Sequence, residues 1–144
     1  MMMTEDIFIS HSESDTRNFG YSYGKRIKPG QVVLLYGDLG TGKTVFVKCV
    51  GDYLGISGVK SPSFTLINEY KSDKIYLIHS DLYRLEDFNQ VEVLGLDDYV
   101  NSDDCVLFVE WPERWKFPPQ HNTVKIFFKA VNEFEREIKI QEAQ

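Results

Sequence analysis

One stretch of this chain constrains its fold more than any other. The apolar run Val32-Val33-Leu34-Leu35-Tyr36 leads straight into Gly37-Asp38-Leu39-Gly40-Thr41-Gly42-Lys43-Thr44. From Val45 to Leu54, Phe46, Val50 and Leu54 then recur about one helical turn apart. The loop satisfies G-x-x-x-x-G-K-[ST] at Gly37, Gly42, Lys43 and Thr44, and strand, glycine-rich loop, helix is the context that motif requires. Without Cβ atoms the glycines let the backbone wrap closely around phosphate oxygens. Successive N–H groups and the positive end of the helix dipole then face the anion. Lys43 reaches the β and γ phosphates of a bound nucleotide, and the Thr44 hydroxyl is placed to ligate Mg²⁺. Gly40 and Thr41, with Asp38 and Leu39, form the part of the loop that lies against the phosphates.

The length, 144 residues, predicts one domain spanning residues 1–144, large enough to bury roughly 68–70% of its unfolded surface without staples. No apolar run approaches the ~18 residues of a membrane span, so no membrane association is expected. The start, Met1-Met2-Met3-Thr4-Glu5-Asp6, has neither a basic segment nor an apolar one and predicts no secretion signal. Cys49 and Cys105 lie far apart within apolar stretches and read as small buried hydrophobes. The expected compartment is the cytoplasm. The net charge is −6, and no dense Lys/Arg block occurs. A protein that grips nucleic acid by itself shows a basic footprint, so any service to RNA is expected to pass through a partner.

Along the chain, Asp6–Ser10 predicts a strand, and Phe19, Tyr23 and Ile27 predict a helix over about Thr16–Ile27. Strands are further expected at Phe64–Tyr70 and Ile75–His79, around a turn at Lys71–Lys74, and at Val106–Val109. A helix is expected over Val91–Val100, and a terminal hairpin from Thr123–Phe128 and Glu135–Ile140. The fold class is therefore α/β: a P-loop domain whose mixed, mostly parallel central sheet is flanked by helices. Ligands in such sheets sit at the carboxyl ends of the parallel strands. Two carboxylates fall there, Asp81 after Ile75–Ser80 and Glu110 after Val106–Val109. One of them is expected to bind the metal while the other positions or deprotonates the attacking water. Ser61, Ser63 and Thr65 supply hydroxyls just before a strand, either to complete a Mg²⁺ shell as a switch loop does or to form a turn with local hydrogen bonds. His79 follows the alternating strand pattern and reads as a buried, hydrogen-bonded histidine, and Trp111 as an aromatic core residue, with a wall of the site as the alternative.

The ordered set of motifs resembles one family over roughly Ile7–Ile140. Its marks are the P-loop, Lys60-Ser61-Pro62-Ser63-Phe64-Thr65-Leu66, His79-Ser80-Asp81-Leu82-Tyr83-Arg84-Leu85, Gly95-Leu96-Asp97-Asp98-Tyr99 and Glu110-Trp111-Pro112. These are similar to the TsaE family, the small ATPases that serve threonylcarbamoyladenosine formation in bacterial tRNA. The resemblance implies ATP binding with Mg²⁺ held at Thr44 and Glu110, catalytic importance for Lys43, Asp81 and Glu110, and a switch-like role for Ser61–Thr65. It also implies that Glu13 and Thr16 lie near the nucleotide base and that Arg136 reaches the nucleotide. As partners it implies the TsaD–TsaB pair, on which a TsaE-like subunit docks and hydrolyses ATP to reset the complex, meeting tRNA only indirectly. Ser80 and the segment Pro112–Phe117 depart from the family pattern without touching the metal or phosphate ligands. The competing enzymatic reading is a small-molecule P-loop kinase, but the arginines are scattered and no arginine pair suggests a lid. A binding module with incidental hydrolysis is the non-enzymatic reading. A GTPase is disfavoured, since no N-K-x-D sequence occurs.

Overall fold

Strand β2 (Val32–Tyr36) sends alternate side chains to opposite faces of the sheet, and both faces are covered. Val33 and Leu35 enter one core, and Val32 and Leu34 enter the other. This is why the run is continuously apolar rather than alternating. The computed structural model describes residues 3–62, 66–85 and 88–143. In it, β2 is flanked by β5 (Cys105–Glu110) and β6 (Thr123–Ala130), both parallel to it. Beyond β5 come β4 (Tyr76–Asp81), parallel, and β3 (Ile67–Lys71), antiparallel. Beyond β6 come β7 (Arg136–Ala143) and β1 (Met3–Ser10), each antiparallel to its neighbour. The order is β1-β7-β6-β2-β5-β4-β3. The central strands thus run parallel with antiparallel margins, the mixed sheet expected. The terminal hairpin is part of that sheet, not an appendage, because β6 pairs with β2 and β7 with β1.

Helices α1 (Glu13–Tyr23) and α2 (Lys43–Tyr53) pack together on one face, where Phe46, Val47 and Val50 meet Leu77, Val106 and Phe108. α1 begins three residues before the predicted start because Ser12 caps it, accepting the Asp15 N–H at 3.1 Å. Its last turn tightens to a 3₁₀ helix over Gly24–Arg26, and Ile27 is already extended. On the other face, α3 (Phe88–Val93) and a 3₁₀ helix over Leu96–Tyr99 replace the single helix expected at Val91–Val100. Gly95 breaks it: at φ +75° it takes the left-handed conformation that ends helices. β3 starts at Ile67, three residues later than expected, and residues 64 and 65 of the predicted strand lie outside the described residues. Among the described residues no helix is long and apolar enough to cross a membrane.

Candidate functional site

The sheet's parallel centre places three sequence-predicted groups at one edge. β2 ends into the P-loop, β5 ends at Glu110 and β4 ends at Asp81. Gly37 must be glycine on two counts. Its φ is +146°, and a Cβ there would lie 2.5 Å from the Phe128 carbonyl oxygen of β6. Gly42 turns the loop into α2 with φ +107°, and no side chain caps the helix, so its first N–H groups are left to face the cleft. Thr41 Oγ1 donates to the Asp38 carbonyl at 2.7 Å and tightens the loop from within. Lys43 folds back so that Nζ donates to the Gly37 carbonyl and sits 4.3 Å from the centre of the Trp111 ring. Burial lowers the Lys43 pKa, while Glu110 and Asp81 pull the other way.

The carboxylates stand at opposed positions on neighbouring strands. β4 and β5 pair in register with Asp81 opposite Glu110, and Glu110 is level with Leu35 of β2. Side-chain alternation turns His79 and Asp81 to the same face as Leu77, and Glu110 to the same face as Phe108, which is the α2 side. Glu110 is only 3% exposed. It accepts the Thr44 hydroxyl, with Oγ1 at 2.9 Å from Oε2 and 3.1 Å from Oε1, and it bonds His79 Nε2 at 2.6 Å. His79 is thus buried and hydrogen-bonded, as its strand position predicts. Asp81 accepts the Tyr83 N–H at 3.0 Å. Burial raises its pKa above the usual carboxyl value, opposed by the Tyr83 bond and reinforced by Glu110. A hydroxyl and a carboxylate converging beside a phosphate-binding loop are hard oxygen donors. They suit Mg²⁺, which completes its shell with phosphate and water.

A cavity of about 510 Å³ opens over this edge. Its floor includes Leu39, Gly40, Thr41, Gly42, Lys43 and Thr44, with Asp81 and Glu110 to one side. Asp38 does not line it; its main chain serves the loop instead. α1 brings Glu13 and Thr16 to the rim, where the Thr16 hydroxyl is 2.7 Å from Ser10 Oγ and its methyl packs near Gly42. Arg136 reaches across from β7, donating from Nη2 to the Gly40 carbonyl at 3.4 Å and from Nη1 to the Asn132 and Glu135 carbonyls at 2.9 Å. Ser61 lines the cavity, whereas Ser63 and Thr65 lie outside the described residues. Trp111 does both: half-buried, it packs against the core on the α3 side of the sheet and walls the cavity, at φ +56° and with its ring 5.0 Å from that of Tyr83. The sequence reading missed Glu133 and Phe134 of the β6–β7 turn. The signal was available: Phe134 is a large apolar residue in a polar turn and is 69% exposed.

The family model described as "Threonylcarbamoyl adenosine biosynthesis protein TsaE" matches residues 10–138. The chain belongs to the TsaE family. The match takes in the P-loop, Asp81, Glu110 and Arg136. The TsaE protein of Aquifex aeolicus is 43% identical over 111 residues, covering 75% of this chain and 77% of that protein. The TsaE protein of Rickettsia bellii is 31% identical over 138 residues, covering 94% of each. Both are named as tRNA threonylcarbamoyladenosine biosynthesis proteins. The crystal structure of YdiB from Bacillus subtilis superimposes with a TM-score of 0.78 at 32% identity, covering 100% of this chain and 89% of that one. TsaE proteins take part in tRNA threonylcarbamoyladenosine biosynthesis, and this chain has their fold.

Proposed function

We propose that this chain is a Mg²⁺-dependent ATPase of the cytoplasm that supports tRNA N6-threonylcarbamoyladenosine formation. In this reading it docks on the TsaD–TsaB transferase pair, and its hydrolysis of ATP resets that pair between rounds. One observation carries the proposal: Thr44, at the start of the P-loop helix, meets the buried Glu110 at the end of the adjacent strand, beneath a cleft of nucleotide size.

The N–H groups of the loop and of the first turn of α2 receive the β and γ phosphates. Lys43 exchanges the Gly37 carbonyl for a phosphate oxygen, a short move for a flexible side chain already in the cleft. Thr44 and Glu110 would hold Mg²⁺, which when bound neutralises charge on the phosphate oxygens. Asp81 stands one strand further out, and a carboxyl held above its usual range suits a group that orients the attacking water and takes its proton. Glu13 and Thr16 border the base end of the cleft. Arg136 gives up backbone carbonyls to reach the nucleotide.

The test is steady-state ATP hydrolysis by the purified chain, alone and with its TsaD–TsaB pair, beside Lys43→Ala. Slow turnover alone and strong stimulation by the pair, both lost in the variant, are expected. Equal turnover with and without the pair would overturn the partner-dependent reading. Phosphoryl transfer to a metabolite faster than hydrolysis would replace it with a kinase.

A further inference from the structure

We infer that His79 is a positioning residue: by donating from Nε2 to Glu110 Oε2, it aims the carboxylate at Thr44 and at the cation the two would share. The inference rests on the metal-dependent site proposed above. It concerns a residue whose strand pattern suggests only a buried, hydrogen-bonded histidine.

Three observations carry it. First, the contact is short and dry: His79 is 0% exposed, Glu110 is 3% exposed, and the two atoms are 2.6 Å apart. A carboxylate accepts hydrogen bonds, so Nε2 carries the proton. Second, His79 Nδ1 has no hydrogen-bond partner, and among the described residues no other buried side-chain nitrogen or oxygen lacks one. Burying an unpaired nitrogen is unfavourable, and leucine or isoleucine would fill such a strand position without it, as Leu77 and Ile78 do nearby. The Glu110 bond is the compensation visible at this side chain. Third, Thr44 cannot fix Glu110 alone. It is itself a ligand in the proposed site, so its hydroxyl must also serve the cation. His79 gives the carboxylate a second, buried hydrogen bond at Oε2 and so limits rotation of a long side chain at a strand end. Groups that orient a metal ligand in this way set metal affinity without touching the metal.

The test compares wild type with His79→Phe, which fills the space without a donor, and His79→Gln, which returns an N–H near the position of Nε2. Mn²⁺ binding in the presence of ADP is read by electron paramagnetic resonance, and ADP affinity is read with and without Mg²⁺. The expected result for His79→Phe is a loss of Mn²⁺ affinity of about tenfold or more, with metal-free ADP affinity unchanged. His79→Gln should recover most of that loss. Wild-type Mn²⁺ affinity in a folded His79→Phe protein would overturn the inference, and so would equal losses in both variants at equal melting temperatures. If His79→Phe does not fold, ¹⁵N-histidine NMR on the wild type decides. The His79 Nε2 resonance should move on adding Mg²⁺ with ADP and not with ADP alone; an unmoved resonance overturns the inference. Wild type whose ADP affinity ignores Mg²⁺ removes the metal site and His79's role together. Metal dependence in wild type that persists unchanged in His79→Phe removes only the latter.

Discussion

Glu110 and Asp81 sit opposite each other on neighbouring strands, yet their surroundings give them different chemistry. Glu110 accepts from Thr44 at both oxygens and from His79 at Oε2, so its oxygen pair is held in place. Glu110→Gln is expected to lower ATP turnover by about 10²–10³-fold, as loss of one well-placed electrostatic group does. Metal-free nucleotide affinity should change far less. Initial rates and ADP titrations check this, and unchanged turnover would transfer the role to Asp81. Asp81 also allows a stability prediction. Burial raises its pKa, so the folded state disfavours the ionised form. Below the ordinary carboxyl value the group is protonated in both states and the penalty is absent. As pH rises through the raised folded value, the penalty becomes complete. Asp81→Asn keeps an acceptor for the Tyr83 N–H and removes the charge. It should therefore stabilise the nucleotide-free protein at neutral pH and bring no gain near pH 3. Urea denaturation at the two pH values reads the difference, and a less stable variant at neutral pH would contradict the assignment.

Between elements, the decisive contact is that of α1 with α2. A Cβ added at Gly20 would lie 3.0 Å from the Phe46 carbonyl oxygen, so this glycine lets α1 approach α2's backbone closely. That approach carries Glu13 and Thr16 to the cleft rim beside Gly42. Gly20→Leu should push the helices apart, cost about 1–3 kcal/mol by overpacking, and weaken nucleotide binding although residue 20 is not part of the cavity lining. Denaturant unfolding and ADP titration test both parts; wild-type stability would show that the interface yields more readily than its spacing indicates. These elements were unequally legible in the sequence. β2, the P-loop and α2 follow from apolar runs, glycines and a helical period, which are local properties. The start of α1 was misplaced because its cap, Ser12, lies outside the apolar stripe. The break at Gly95 was missed because the flanking residues kept an apolar pattern while the backbone changed hand.

At the scale of the whole molecule, the net charge of −6 and the absence of a dense basic block argue against independent tRNA binding. The free protein should not retain tRNA on a filter at about 0.15 M salt. Retention should appear only with the TsaD–TsaB pair, and retention by the chain alone would require a basic surface that its sequence does not display. The sequence by itself determined the α/β class, the phosphate-binding loop and the two strand-end carboxylates. Each is written in residue types whose backbone preferences, period and charge act locally. Only the tertiary structure decided which carboxylate meets Thr44. That depends on β5 lying beside β2 and β4 lying one strand further out, an order set by pairing between distant segments and by burial of both sheet faces. The same pairing turned a strand histidine into a partner of Glu110, carried Arg136 to the P-loop and set Trp111 over Lys43. No local pattern specifies those contacts, because each joins residues that meet only once the sheet has closed its core.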